Sequence, residues 1–185
     1  MVQLKTKLTL EEFLASPEAN LNYELVDGEA IAKMAPKRFH SRLTGTLFTL
    51  LTQWCQNRGE IGIEWAVILK KNQQDWVPIP DLLYISYSRL PAEHFVDEAC
   101  PIPPELVIEI ISPDQSFGKI SQKAIDYLNA GVSRVWVIDP KDKSITVFYP
   151  DTLPQSYRND DTLTDALLDG LQFTAQQIFQ LAGIP

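Results

Sequence analysis

A carboxylate lies inside an otherwise apolar run, and this feature most constrains the fold. Residues 106–111 read Leu-Val-Ile-Glu-Ile-Ile, so Glu109 is the one polar residue of the run. A short apolar run of this kind predicts a central strand that is buried on both faces. An unpaired ionised carboxylate in such a strand costs several kcal/mol even after relaxation. Glu109 therefore needs a compensating partner, either a divalent metal ion or a lysine from a neighbouring helix.

The segment after this run predicts a strand, a helix and a second strand. Ser112 and Pro113 end the first strand, and residues 117–129 have a helical pattern with Gly131 just beyond it. Residues 134–138 then predict the second strand. A helix between two strands is the arrangement that builds parallel pairing. The sequence therefore predicts an α/β fold with a mixed sheet flanked by helices.

The N-terminal half predicts further helices and antiparallel strands. Thr9 and Glu12 form a capping-box pattern for a short helix, which Pro17 should end. Asp27 and Gly28 lie between two strand-like runs and predict an N-terminal β-hairpin. The larger predicted elements are a long amphipathic helix over residues 39–57 and two antiparallel strands over residues 61–69 and 76–85, joined by a polar connection over residues 70–75.

The C-terminal part predicts small elements and no second domain. Its predicted elements are a turn over residues 139–142, a strand over residues 145–149, an acidic loop over residues 159–162 and a short helix over residues 175–181. There is no internal repeat. A length of 185 residues, with 45% hydrophobic and 22% charged residues, is typical of one globular unit. We therefore expect a single domain over residues 1–185.

Composition also limits the location and the partners. No run approaches the roughly 18 apolar residues of a membrane span, and the polar start lacks a signal-peptide segment, so we expect a cytoplasmic protein without a membrane partner. Cys55 and Cys100 lie far apart, and we predict that both are free thiols. The net charge of −8 argues against a nucleic-acid substrate, because phosphate binding normally leaves a basic footprint. Carboxylates that bind metal ions explain part of this charge.

Asp81 is the second acid in a strand-like context. It follows Pro80 inside the predicted strand over residues 76–85. Two carboxylates on adjacent strands can converge on Mg²⁺, which prefers oxygen ligands, and such an ion suits phosphodiester hydrolysis. The alternative is an acid on an edge strand after a proline. Glu64 could face the same cavity, but a register slip of one residue reverses its direction, so it receives no predicted role.

The predicted helix after Glu109 carries two candidate cations. Lys119 and Lys123 are four residues apart on one helix face, and either could reach back to an attacked phosphate. Lys123 is favoured because Tyr127 lies one turn further along on the same side. The alternative is a solvated lysine face.

Taken together, these motifs resemble the Uma-type family of restriction endonucleases in the PD-(D/E)xK nuclease superfamily, over nearly the whole chain. The matching positions are residues 23–29, His40, Asp81, residues 104–113, Lys123, Tyr127, residues 130–132 and residues 136–140. The resemblance implies a restriction-endonuclease-like PD-(D/E)xK core. It also implies that Asp81 and Glu109 are metal ligands and that Glu24 is an acidic residue near the metal.

One position departs from the superfamily motif. The motif lysine belongs two residues after Glu109, where this chain has Ile111. The resembling family also lacks that lysine and carries one on the next helix, which implies Lys123 as the substitute and Lys119 as the fallback. His40 could contact a phosphate or a metal-associated water, although a capping or packing role is the alternative.

Two functions from different classes remain open on these residues. The first is a Mg²⁺-dependent DNA endonuclease, with Mn²⁺ as a substitute ion, in which Asp81, Glu109, Lys123 and Glu24 form the catalytic site. The second is a noncatalytic nucleic-acid-binding or assembly module whose carboxylates are neutralised by Lys119 or Lys123. For an enzyme that cuts both strands of a duplex, we expect a homodimer, since closed two-fold dimers are the commonest assemblies.

Overall fold

The structure is a computed structural model that describes residues 7–185. Its helices are α1 (Leu10–Leu14), α2 (Arg38–Trp54), α3 (Phe117–Asn129) and α4 (Ala175–Leu181), with short 3-10 segments at Pro17–Asn20 and Ala166–Leu168. Its strands are β1 (Tyr23–Val26), β2 (Glu29–Ala32), β3 (Gly59–Ile63), β4 (Leu69–Lys71), β5 (Gln74–Trp76), β6 (Leu82–Ser86), β7 (Leu106–Ile110), β8 (Arg134–Asp139), β9 (Ser144–Phe148), β10 (Gln155–Arg158), β11 (Thr162–Leu163) and β12 (Phe173–Thr174).

A six-stranded mixed sheet with the order β10-β9-β8-β7-β6-β3 carries the helices. β7 and β8 are parallel, whereas the other neighbouring strands are antiparallel. All five residues of β7 are buried, as the apolar run predicts. The chain passes through α3 between β7 and β8, so the predicted strand, helix and strand unit with parallel pairing is confirmed.

The two faces of this sheet pack against different helices. Successive side chains of a strand point to opposite faces. Leu82 and Ile108 therefore pack on the face covered by α2 and α4, together with Leu47. Leu83 and Val107 pack on the other face, which is covered by α3. This alternation decides which polar side chains of β6 and β7 can meet under α3.

The N-terminal predictions agree with the structure. Thr9 and Glu12 form the reciprocal capping box of α1. β1 and β2 form the predicted hairpin, and both of its turn residues, Asp27 (φ 52°) and Gly28 (φ 79°), have left-handed backbone conformations. Such conformations are what a tight two-residue hairpin turn requires. α3 and α4 span the predicted residues, whereas α2 ends three residues before the predicted end at residue 57.

The two long strands predicted over residues 61–69 and 76–85 are wrong in extent. β3 and β6 pair antiparallel, as predicted, but they overlap their predicted ranges only in part, and Asp81 lies just before β6 rather than inside a strand as predicted. Pro78 and Pro80 precede β6, and proline cannot donate a hydrogen bond to a strand ladder. The residues between β3 and β6 leave the main sheet, and the predicted polar connection instead lies within the separate β4–β5 hairpin.

Two further expectations can be compared with the described residues. Cys55 and Cys100 are both buried and unpaired, which confirms the prediction of free thiols. Burial raises the pKa of each thiol. None of the helices within residues 7–185 has the length and apolar character needed to span a membrane.

Candidate functional site

Asp81 and Glu109 lie on the same face of the sheet. Leu82 pairs with Ile108 in the antiparallel register of β6 and β7, so one step further along this register Asp81 lies opposite Glu109. Residues that are directly opposite in an antiparallel pair project to the same face. Both side chains line one cavity of about 390 Å³, and the two residues are only 2% and 5% exposed.

Asp81 is surrounded by hydrogen-bond donors. Lys33 Nζ lies 2.7 Å from Oδ1, and His40 Nε2 lies 2.9 Å from Oδ2. The backbone N–H of Ile110 also donates to Oδ2, at 2.7 Å. Burial raises the pKa of Asp81, but His40 and Lys33 outweigh it and lower the pKa to about 2. Asp81 is therefore an ionised carboxylate at neutral pH.

Lys33 is a site residue that the sequence reasoning missed. It follows β2, is largely buried, and lies 3.3 Å from Oε1 of Glu64 as well as against Asp81. Burial lowers the pKa of Lys33, and the carboxylates of Asp81 and Glu109 more than offset this, so its pKa is raised. Glu64 therefore does point towards the acidic cluster, which its undetermined register concealed. The only sequence signal for Lys33 is its place at the end of a hairpin strand.

Glu109 has a different set of partners. The Tyr127 hydroxyl donates to Oε1 of Glu109 at 2.9 Å, and Lys123 Nζ lies 3.0 Å from the same oxygen. Lys123 also donates to Oε1 of Glu24, at 2.8 Å. Glu24 is itself held in place by the backbone N–H of Ile79, at 2.9 Å. The hairpin β1–β2, the central strand β7 and the helix α3 thus meet at one lysine.

The pKa of Glu109 moves in the opposite direction to that of Asp81. Burial raises it, the nearby carboxylates of Asp81 and Glu24 raise it further, and Lys123 only partly offsets these effects. Burial lowers the pKa of Lys123, but Glu109 and Glu24 reverse this, so Lys123 remains an ammonium. Burial and the same two carboxylates raise the pKa of Tyr127, which keeps its phenol protonated as a hydrogen-bond donor.

The two candidate lysines of α3 occupy different positions. Lys123 contacts Glu24 and Glu109, whereas Lys119 is exposed at the edge of the same cavity. Within residues 7–185, Lys119 forms no ion pair. His40, the other secondary candidate, is 7% exposed and lies against Asp81 rather than in solvent. Asp81, Glu109, Lys123, Glu24, His40 and Tyr127 are therefore brought together, and Lys119 borders them.

The chemistry of the carboxylates fits a hard divalent cation with an incomplete protein shell. In the described part of the chain, no three His, Cys, Asp or Glu side chains are grouped so as to hold a metal ion. Mg²⁺ needs fewer, because it is usually held by one or two carboxylates, with waters and substrate phosphates. Asp81 and Glu109 would be the two carboxylates of such a set. The polar contacts of Glu109 within residues 7–185 involve Oε1, which leaves Oε2 as a donor atom. At Asp81 a divalent cation would compete with the ammonium of Lys33, which lies 2.7 Å from Oδ1.

The chain is an α/β protein in which a mixed six-stranded sheet carries two buried carboxylates under one flanking helix. A crystal structure described as "a putative nuclease belonging to DUF820", from Anabaena variabilis ATCC 29413, is similar to this fold with a TM-score of 0.83. The similarity covers 95% of this chain and 99% of that chain at 24% sequence identity.

The family is shown by the sequence itself. The model of the Uma2 family, described as "Putative restriction endonuclease", matches residues 10–176. This chain belongs to the Uma2 family. The predicted family and the predicted restriction-endonuclease-like fold class are therefore confirmed. A search of curated proteins finds no match.

Proposed function

We propose that this protein is a Mg²⁺-dependent endonuclease that hydrolyses phosphodiester bonds in DNA. The observation that carries the proposal is that Asp81, just before β6, and Glu109 of β7 lie on one face of the sheet, within a cavity that Lys123 also lines. Membership of the Uma2 family supports the coarser assignment to nucleases. The proposal needs only one ion.

The two acids are the proposed ligands of the ion. Asp81 is ionised and is oriented by the N–H of Ile110 and by His40, which makes it a fixed anion. Glu109 is oriented by Tyr127 through Oε1 and offers Oε2. When bound, Mg²⁺, or Mn²⁺ in its place, supplies positive charge that stabilises the attacked phosphate and activates water. A cation at Asp81 must compete with the ammonium of Lys33.

Lys123 and Glu24 have a supporting role towards the substrate. Because Glu109 and Glu24 raise the pKa of Lys123, it stays protonated and cannot take a proton from water at neutral pH. We propose instead that its ammonium donates hydrogen bonds that orient the attacking water or the attacked phosphate. Glu24 fixes the ammonium from the hairpin side, at 2.8 Å. Lys119, exposed at the cavity edge, is the fallback for this role.

The ion pairs of the site favour a second candidate function. Lys33 and Lys123 already neutralise Asp81 and Glu109, and the chain carries a net charge of −8. A noncatalytic nucleic-acid-binding or assembly module would use these pairs only to stabilise the fold. This candidate predicts no Mg²⁺ binding by calorimetry and no DNA cleavage, so it is separable from the enzyme by experiment.

The deciding experiment is cleavage of supercoiled and linear DNA with Mg²⁺, Mn²⁺ or EDTA. We expect Asp81→Ala and Glu109→Ala to abolish cleavage and Lys123→Ala to reduce it sharply. Asp142→Ala is the matched control and should leave cleavage unchanged. It removes an exposed carboxylate (56% side-chain exposure) in the turn between β8 and β9, which does not line the cavity. Cleavage that persists in both acid variants would refute the assignment.

Assembly and location complete the proposal. We propose a homodimer of one domain over residues 1–185, because two symmetry-related sites can cut both strands of a duplex. We also propose a cytoplasmic location, in keeping with a DNA substrate and with the unpaired Cys55 and Cys100. Sedimentation equilibrium measures the mass, and a monomer at concentrations that support duplex cleavage contradicts the dimer.

A further inference from the structure

The charge of the chain is unevenly distributed. Residues 30–59 contain no Asp or Glu, although the whole chain has 24 acidic residues and a net charge of −8. The basic residues of this stretch are Lys33, Lys37, Arg38, Arg42 and Arg58. The stretch runs from β2 through α2, so a cationic segment exists within an acidic protein.

This segment is attached to the acidic cavity at two points. Lys33 lies 2.7 Å from one oxygen of Asp81, and His40 lies 2.9 Å from the other. Met34 and His40 both line the cavity. Residues 35–39 connect these two anchors, and all five are exposed. They lie between the two cavity-lining residues Met34 and His40, and we call residues 35–39 the α2 entry segment.

Two cations of the α2 entry segment are available to a ligand. Lys37 and Arg38 are exposed and form no ion pair within residues 7–185. The other exposed cations of the stretch differ, because Arg42 donates to the carbonyl of Ala182 and Arg58 donates to the carbonyl of Trp54. Those two arginines are engaged by backbone carbonyls, whereas the side chains of Lys37 and Arg38 have no such partner in the described part of the chain.

The N-terminus of α2 adds positive electrostatic potential to that of Lys37 and Arg38. Lys37 is the N-cap of α2, a helix of 17 residues, and its side chain makes no capping hydrogen bond. The first N–H groups of a helix lack intrahelical partners and favour an anion. Exposed apolar surface lies on both sides of the two cations, since Met34 is 47% and Phe39 is 43% exposed. Cations beside apolar and aromatic surface are typical of a surface that follows a nucleic-acid strand.

We propose that the α2 entry segment binds the phosphodiester backbone of a nucleic acid and leads it to the cavity of Asp81 and Glu109. The proposal rests on the proposed nuclease function for the class of substrate. Lys37 and Arg38 contact successive phosphates, which places the strand beside the anchors Lys33 and His40. Outside residues 30–59 the chain has 24 acidic and 11 basic residues, so we expect the phosphate backbone to bind more weakly elsewhere. The overall negative charge and a nucleic-acid substrate are thereby compatible.

The test is equilibrium binding of a fluorescein-labelled duplex, and of its labelled single strand, measured by anisotropy in EDTA over a range of KCl concentrations. The double variant Lys37→Glu/Arg38→Glu is compared with the wild-type protein. We expect binding to weaken about tenfold or more, and the slope of log K against log salt to shrink by about 2 for the duplex, because each lost phosphate contact removes about 0.9. A loss on either probe supports the proposal and identifies the bound form.

The matched control is Lys141→Glu/Lys143→Glu. Both lysines are exposed in the turn between β8 and β9, and the change in formal charge is the same. This variant should bind within about twofold of wild type. Equal losses in the two double variants, or no binding of either probe by the wild-type protein at low salt, overturn the proposal. If the glutamate variant at residues 37 and 38 does not fold, Lys37→Gln/Arg38→Gln takes its place, with the thermal midpoint as the check.

The result can be separated from that of the nuclease proposal. Binding is measured without divalent ions, so it does not depend on cleavage. Binding through the α2 entry segment by a protein that never cleaves DNA would contradict the enzyme and leave this inference intact. Cleavage that survives in Lys37→Glu/Arg38→Glu with unchanged affinity would do the reverse.

Discussion

The two acids at the centre of the site are neighbours on one face of the sheet, yet they have opposite electrostatic environments. Asp81 receives a backbone N–H and lies against two cationic or potentially cationic side chains, Lys33 and His40. Glu109 receives a phenol, shares its lysine with another carboxylate, and is otherwise buried. Burial penalises both anions, but only at Asp81 is the penalty overcome, so the pKa of Asp81 falls to about 2 while that of Glu109 rises.

The fold therefore keeps Asp81 ionised next to Glu109, whose surroundings favour the protonated carboxyl. Environments that push the pKa values of two carboxyls apart are common where the groups have different roles. Here the lower pKa belongs to Asp81, which lies just before β6, and the higher pKa to Glu109, within the buried strand β7. A divalent ion would add positive charge beside Glu109, which shares the ammonium of Lys123 with Glu24. Substitutions of the two acids, and of their partners Lys33 and Tyr127, test whether these environments differ.

The largest expected effect is on stability when the better-paired acid is removed. Asp81→Ala leaves the buried His40 without its carboxylate and leaves Lys33 with only the more exposed Glu64, at 3.3 Å, and breaking a buried ion pair in this way costs about 3–5 kcal/mol. Glu109→Ala should cost less, because Lys123 keeps Glu24 and an unfavourable charge is removed. Urea unfolding at neutral pH measures both. Asp75→Ala, which breaks the exposed pair with Lys70, is the control and should cost less than about 1 kcal/mol. Equal losses at Asp81 and Glu109 would contradict the comparison.

The next effect is the pH dependence of stability. The pKa of Asp81 is lowered from 3.8 to about 2 in the folded protein, so the ionised form stabilises the fold above the unfolded pKa. This contribution, about 2 kcal/mol, is lost as the pH falls through the folded pKa. For Glu109 the sign is opposite, because its raised pKa makes the folded state bind the proton more tightly. Its anion destabilises the fold at higher pH, and stability is gained as the pH falls through the raised pKa.

Unfolding free energies from neutral to acid pH separate the two contributions. Relative to wild type, Asp81→Asn should lose the acid-sensitive part below about pH 4. In the wild-type protein, ionisation of Glu109 lowers the free energy of unfolding as the pH rises above the ordinary glutamate range. Glu109→Gln should abolish this decrease. The same pH profile in both variants would show that the two carboxyls are electrostatically equivalent.

The acids themselves could be predicted from the sequence, whereas most of the contacts that distinguish them could not. Glu109 and Asp81 can be predicted because each is a charged residue within strand-like sequence. Lys123 can be predicted because it lies on the next helix. Lys33 and Glu64 depend on how the β1–β2 hairpin docks and on the register of β3, which are tertiary properties without a local signal. The central strand β7 and the helix α3 could be predicted because the local pattern of apolar residues determines them. The departure of the chain from the main sheet before β6 could not.

A third prediction concerns competition between Lys33 and a divalent ion. Lys33→Met removes the ammonium at 2.7 Å from Asp81, so we expect Mn²⁺ to bind about tenfold more tightly, as measured by calorimetry. Without the ion the variant should be less stable than wild type, because Asp81 loses a buried partner. Lys71→Met is the control, since Lys71 lines the same cavity but pairs with Asp126 at 2.8 Å. If Lys33→Met binds Mn²⁺ no better than Lys71→Met does, Lys33 is not the competing cation.

The smallest expected effect is at the phenol that holds Glu109. Tyr127→Phe removes one hydrogen bond to Oε1 and keeps the ring packed on Trp76, where the centroids are 4.8 Å apart. Lys123 remains on the same oxygen, so the loss of stability should be only about 1 kcal/mol. The removal of a donor to the carboxylate should also raise the pKa of Glu109 further, because hydrogen bonds to the charged form favour that form. The destabilisation should therefore be larger at pH 8 than at pH 5, where more of Glu109 is protonated; a loss independent of pH would show that Tyr127 acts through packing alone.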